Sequence, residues 1–157
     1  MLKRVDDDVR LGVVAGLRAR LVVPAGRVRS DNYTLLTWSD VRVLAGHALA
    51  EIGAHSVEHP ILTRIGGERL DREVLQSKTV LEQHVGRPVT SIAYPNGGPE
   101  DYDNRVVQIV KAHGFACACT TLIGTNTALT DLFELRRILV GISGGEPFPF
   151  WPAGAPA

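Results

Sequence analysis

Residues 51–60 read EIGAHSVEHP, a short segment that contains two histidines four positions apart. The part that ends at His55 has the length of a β-strand, and Pro60 closes the loop after His59. If one histidine closes a strand and the other lies just beyond it, both imidazoles can turn toward one metal ion. The spacing alone is weak evidence for a metal site, because two histidines at this spacing on a helix often belong only to a solvated face.

Strands and helices are predicted to alternate on both sides of this segment. The β-branched end of residues 17–23, stopped by Pro24, favours a strand, and Thr37 with Asp40 three residues later favours a helix start. Apolar spacing predicts two further helices, one that ends at Gly86 and one that begins at Asp103 and ends at Gly114. Further strands are predicted at residues 89–94, 115–121 and 135–140. This alternation is typical of βαβ units around a parallel sheet, and therefore of the α/β class.

The composition favours a single globular domain and excludes some classes of function. The chain has 157 residues and 45% hydrophobic residues, and its 17 Lys and Arg balance 17 Asp and Glu. A chain without basic excess is not expected to bind nucleic acid. No apolar run is long enough to span a bilayer, and the N-terminus lacks the apolar core of a signal peptide. We therefore expect neither a membrane span nor an export signal, and a cytoplasmic location by default.

Cys117 and Cys119 lie one residue apart within a predicted strand. Two side chains at this spacing share one face of a strand, where free cysteines often pack as small hydrophobic groups. We expect both thiols to be buried and reduced.

Several ordered motifs give the chain a family resemblance. They read TWSDVR at 37–42, EIGAHSVEHPILT at 51–63, GRPV at 86–89, IAYPNG at 92–97 and LRRI at 135–138. Together they resemble the polysaccharide deacetylases of the NodB type. The resemblance implies an incomplete or distorted (β/α) barrel over residues 1–140. Residues 141–157 are rich in Gly and Pro and are expected to form a tail.

The resemblance also implies a chemistry and a set of site residues. Members of this family are metal-dependent hydrolases that remove N- or O-acetyl groups, so the expected substrate is an acetylated carbohydrate or a small acyl compound. His55 and His59 match two metal ligands, and the divalent ion is expected to be Zn²⁺. Asn96 stands where the family usually has a tyrosine whose backbone N–H helps to hold the oxyanion.

The first motif of the family, Thr-Phe-Asp-Asp-Gly, has only a partial counterpart at residues 5–8, which read VDDD. In that alignment Asp6 would be the catalytic base and Asp7 the third metal ligand. However, four residues before Asp6 are too few for an ordinary barrel strand. The alternative is that residues 2–15 form a helix with an apolar stripe and a solvated acidic face. The first strand, the base and the third ligand would then be missing.

These alternatives leave more than one hypothesis for function. The first is an active metal-dependent deacetylase or esterase, and the second is a truncated, non-catalytic metal-binding domain or a fragment of a longer deacetylase. A third is a related hydrolase of small cyclic amides. No Leu-x-His follows Ile138, so the usual general acid of the family has no counterpart.

The predicted strand at residues 17–23 also bears on assembly. Without a first strand its edge would be unpaired, and unpaired strand edges associate readily with other chains. A second copy of the chain would cover that edge, so we expect a homodimer or a larger oligomer.

Overall fold

A computed structural model describes residues 2–21 and 35–138. It contains four α-helices and three β-strands in these ranges. The helices are α1 (Asp7–Leu21), α2 (Trp38–Ala45), α3 (Gly67–Val85) and α4 (Asn104–Ala112). The strands are β1 (Ser91–Ala93), β2 (Cys117–Ile123) and β3 (Leu135–Arg137), and single 3₁₀ turns occupy Leu2–Arg4 and Leu62–Arg64.

The three strands form a parallel sheet in the order β1-β2-β3. Ala54 extends it by one isolated parallel bridge to Ile92, with hydrogen bonds from Ala54 N to the Ser91 carbonyl and from Ala93 N to the Ala54 carbonyl, both 2.9 Å. The strand predicted at residues 51–55 is thus a single bridge. The carboxyl ends of these segments meet at one edge of the sheet, where α/β proteins place their functional residues.

Helices α2, α3 and α4 begin or end where the sequence predicts. Thr37 and Asp40 form a capping box, in which each side chain binds a backbone N–H of the other residue. Gly86 ends α3 with a left-handed φ of 73°, and the Asp103 side chain accepts a hydrogen bond from Val106 N at the start of α4. These signals are local, which explains why they could be read from the sequence.

The hydrophobic core lies between the sheet and helices α3 and α4. Leu70 and Val74 from α3 are fully buried against Ile92 of β1 and Val106 of α4. Tyr94, also fully buried, donates a hydrogen bond from its hydroxyl to the Phe133 carbonyl at 2.9 Å. The core therefore fixes the two strand ends that carry the candidate site.

The prediction of a strand at residues 17–23 is wrong for residues 17–21, because α1 continues to Leu21. Residues 22 and 23 lie outside the described residues. The helix expected in the alternative for the N-terminus is present, although it starts at Asp7 and not at residue 2. The roles of Asp6 and Asp7 are a separate prediction. Since no strand edge exists at residues 17–21, the expected homodimer or larger oligomer loses that support and stays a prediction.

The expected burial of the two thiols is also wrong. Cys117 and Cys119 are free and only half-buried, because Ala118 and Thr120 take the core-facing positions of β2. Partial burial raises the pKa of the Cys117 thiol.

The part of the chain that the structure describes contains no helix with both the length and the apolarity needed to cross a bilayer. Two predictions lie beyond its limits: the last residues of the strand expected at 135–140, and the Gly/Pro-rich tail at 141–157.

Candidate active site

His55 and His59 lie at the carboxyl edge of the sheet. His55 directly follows the bridge at Ala54, and the two imidazoles meet edge to face with their ring centroids 4.8 Å apart. Both side chains are exposed, so a solute can reach them. The structure thus brings together the two residues that the sequence proposes as metal ligands.

A hydrogen bond sets the tautomer of His55. Its Nδ1 lies 2.7 Å from the carbonyl oxygen of Ala93. A carbonyl only accepts hydrogen bonds, so Nδ1 carries the hydrogen and the Nε2 lone pair of the neutral ring is free to bind a cation. Histidines that bind metals are commonly held in this way by a backbone carbonyl.

Asn96 lies at the end of the neighbouring strand, in a tight turn that β2 holds in place. Thr121 donates its hydroxyl to the Asn96 carbonyl at 2.8 Å and its backbone N–H to the Gly97 carbonyl at 2.9 Å. A Cβ on Gly97 would come within 3.0 Å of Thr121 N, so only glycine fits this turn without movement. The side-chain oxygen of Asn96 accepts a hydrogen bond from Lys3 at 2.8 Å. The N-terminal segment therefore contacts the side chain of the residue whose backbone N–H is proposed to hold the oxyanion.

Asp7 is the buried member of a charged cluster at the start of α1. Arg10 donates from Nε to its Oδ1 at 2.6 Å, and Arg69 of α3 lies 2.8 Å from Oδ2. The contact with Arg69 is an ion pair without hydrogen-bond alignment, so Oδ2 has no hydrogen-bond partner among the described residues. The expected solvated acidic face is therefore wrong for Asp7, which is 3% exposed.

Arg69 connects this cluster to the loop that carries the histidines. Its guanidinium also donates to the carboxylate of Glu58, at 3.1 Å, and to that of Asp8, at 3.3 Å. Burial alone would lower the pKa of Arg69, but the carboxylates of Asp7 and Glu58 outweigh it, so the pKa is raised. No sequence signal singles out Arg69, because an arginine on a helix does not reveal partners in two distant segments.

Asp6 and Asp7 face different cavities. Asp7 lines a cavity of about 190 Å³ together with Lys3, His59 and Asn96. Asp6 is exposed and lines a wider cavity of about 650 Å³ at the start of α3. Asp6 as base and Asp7 as third metal ligand therefore stay predictions.

The described residues fit a metal ion only in part. His55 and His59 offer two adjacent nitrogen ligands, whereas catalytic zinc sites typically use three protein ligands. Residues 2–21 and 35–138 contain no group of three His, Cys, Asp or Glu side chains placed to hold an ion. The proposed third ligand, Asp7, lines a cavity with His59 but is already paired with two arginines.

Comparison with known proteins identifies the family. Residues 20–118, more than half of the chain, match the sequence profile described as polysaccharide deacetylase. The chain belongs to the polysaccharide deacetylase family. Its partial sheet and flanking helices are accordingly an incomplete barrel of the NodB type.

Solved polysaccharide deacetylase structures are similar to this chain. The Streptococcus pyogenes deacetylase PplD, solved in complex with acetate, is 25% identical with a TM-score of 0.62, over 68% of this chain and 45% of its own. A polysaccharide deacetylase from Bacillus cereus is 27% identical with a TM-score of 0.58, over 69% of this chain and 33% of its own. The BpsB deacetylase domain from Bordetella bronchiseptica shows the same fold at 21% identity and a TM-score of 0.63, over 75% of this chain and 56% of its own.

This polysaccharide deacetylase chain therefore spans about half, or less, of the length of these structures. Comparison with curated protein sequences gave no match.

Proposed function

We propose that this chain is part of a hydrolase that removes N- or O-acetyl groups from a carbohydrate or a small acyl substrate. In this proposal His55 and His59 bind a divalent ion, expected to be Zn²⁺. The observation that carries it is the pair of imidazoles at the strand end, with the His55 tautomer set by Ala93 so that Nε2 is free. Membership of the polysaccharide deacetylase family supports the choice of reaction.

A bound divalent ion would polarise the acyl carbonyl and lower the pKa of a bound water. The chain's own residues would orient the substrate and support its developing charge. The backbone N–H of Asn96 lies in a turn held by Thr121, so it is preorganised to donate to the oxyanion. For Asp7 to act as third ligand, its carboxylate must leave Arg10 and Arg69, and Asp6 as base must turn toward the cavity that His59 lines.

A second candidate is a non-catalytic metal-binding domain, or a fragment of a longer deacetylase. The observation that favours it is the pairing of Asp7 with Arg10 and Arg69, which withholds a carboxylate from the histidines. The contact between Lys3 and the Asn96 side chain favours it further, because it ties the N-terminal segment to the residue proposed to hold the oxyanion.

Metal analysis of the purified protein tests the step shared by both candidates. We expect about one zinc-class ion per chain, and loss of that ion in the double variant His55→Ala, His59→Ala. The matched control is His47→Ala, His113→Ala. His47 accepts a hydrogen bond from Leu49 N and His113 contacts Asp71. Neither of these histidines lines the cavities that His55 and His59 line. Unchanged metal content in the His55, His59 variant would contradict the assignment.

Acetate release from an acetylated oligosaccharide separates the two candidates. Acetate release that depends on both histidines supports the hydrolase. Stoichiometric metal binding without acetate release supports the non-catalytic domain. Release that persists in the His55, His59 variant would mean that the activity resides elsewhere.

A further inference from the structure

The loop that joins the two histidines has a backbone that needs external support. Ser56 has φ 63° and His59 has φ 56°, both in the left-handed region. Residues with a Cβ enter this region only at a cost, and the surrounding structure must hold them there. Two such residues within four positions make the loop sensitive to whatever binds its amides.

Side chains bind three consecutive amides of this loop. The backbone N–H groups of Val57 and Glu58 donate to Oε2 of Glu73, at 2.8 and 3.0 Å. The N–H of His59 donates to the hydroxyl of Ser56 at 3.0 Å. One carboxylate oxygen on α3 therefore binds the middle of the loop, and one hydroxyl closes its end.

Glu73 is well suited to this task because it is buried and directed at the loop. Its side chain lies on the core-facing side of α3, next to Val74, and the residue is 5% exposed. None of the ion pairs in the described part of the chain includes Glu73. A buried carboxylate without a cation is costly unless hydrogen bonds compensate it, and charge-assisted bonds from N–H groups are strong. The carboxylate and the loop thus stabilise each other.

We propose that Glu73 is a positioning residue for His55 and His59. Its carboxylate holds the left-handed loop between them, so that His55 keeps its bond to Ala93 and the two rings keep their edge-to-face contact. The purpose of this arrangement rests on the proposed metal-binding role of the histidines. The arrangement itself can be measured in the metal-free protein.

The test compares Glu73→Gln with Glu82→Gln in the metal-free protein. Glu82 is a matched control, because it lies on the same helix and accepts a backbone N–H, from Val89 at 3.0 Å. In Glu73→Gln we expect the amides of Val57 and Glu58 to exchange hydrogen about tenfold faster, since a charge-assisted bond is weakened. Glu82→Gln should leave these amides unchanged.

The ¹⁵N chemical shifts of the His55 ring test the positioning role, because a residue that only stabilised the fold would leave them unchanged. The wild-type ring should be one tautomer with hydrogen on Nδ1, and Glu73→Gln should produce a mixture of tautomers. Zinc titration should then show a dissociation constant raised about tenfold, the usual size of an outer-shell effect. Glu82→Gln should show neither change.

Faster amide exchange without any change in the His55 ring would overturn the positioning role. Unchanged exchange at Val57 and Glu58 would overturn the proposed contact. If Glu73→Gln does not fold, Glu73→Asp keeps the charge on a shorter side chain and is judged by the same two signals. If the wild-type protein binds no zinc, the proposed function fails, and the exchange and ring shifts still decide the role of Glu73.

Discussion

Helices α1 and α3 meet at the ion pair between Asp7 and Arg69, yet they are attached to the fold in different ways. Helix α3 buries Leu70 and Val74 completely in the core. Helix α1 buries only Asp7 and leaves most of its large apolar side chains exposed. These exposed side chains are Val9, Leu11, Val13, Leu17 and Leu21.

This difference shows that apolar composition alone does not decide how a helix is held. Burial of apolar surface is non-directional and is not screened by salt, and it stabilises by about 25 cal/mol per Å². Ion pairs with partly exposed partners, such as Arg10 and Arg69, contribute less than the burial of a large apolar side chain. They are also partly screened by salt. We therefore expect α3 to be a stable part of the fold, and α1 to depend on the charges around Asp7.

Truncation of one leucine in each helix is the most direct test of this contrast. Leu70→Ala should lower the free energy of unfolding by about 2–5 kcal/mol, because it leaves a cavity in the core. Leu17→Ala, at a residue 48% exposed, should change it by less than about 0.5 kcal/mol. Urea unfolding followed by circular dichroism measures both. Similar costs for the two leucines would show that α1 is packed as tightly as α3.

Removal of the charge on Asp7 tests what holds α1. In Asp7→Asn the guanidinium groups of Arg10 and Arg69 lose their buried partner, so α1 amides should exchange hydrogen roughly 10–100 times faster. Asp8→Asn is the control, because the Asp8 side chain is 93% exposed and should matter little. Equal exchange rates in the two variants would mean that other contacts hold α1.

Salt should affect amide exchange in the two helices differently, but by less than the substitutions above. Raising the salt concentration from about 0.05 M to about 0.5 M shortens the screening length and weakens the Asp7 cluster. We expect α1 amides to exchange up to a few times faster, and α3 amides to be unaffected. Hydrogen exchange at the two salt concentrations measures this. A response of α3 equal to that of α1 would remove the contrast.

The sequence predicted the elements whose signals are local. The capping box at Thr37, the stop at Gly86 and the cap at Asp103 all act within a few residues, and each lies where it was expected. The prediction of a strand at residues 17–23 failed because the β-branched end of this segment favoured a strand, whereas residues 17–21 continue α1. Propensity is a weak guide where the rest of the chain decides between helix and strand.

The candidate site divides in the same way. The spacing of His55 and His59 after a predicted strand suggested a metal pair, and the family resemblance implied the roles of these histidines and of Asn96. Arg69 and Glu73 were not recognisable. Both lie on α3 as ordinary charged residues, and their partners are 11 or more positions away along the chain.

By itself the sequence determined the α/β class, the family resemblance and the pair of histidines, because spacing and capping are properties of neighbouring residues. Only the tertiary structure decided that Asp7 is buried between two arginines, that the thiols avoid the core and that Glu73 binds the histidine loop. Each of these depends on a contact between segments distant in sequence. The free energy of such a contact depends on the partner that the fold brings to it, and no local pattern names that partner.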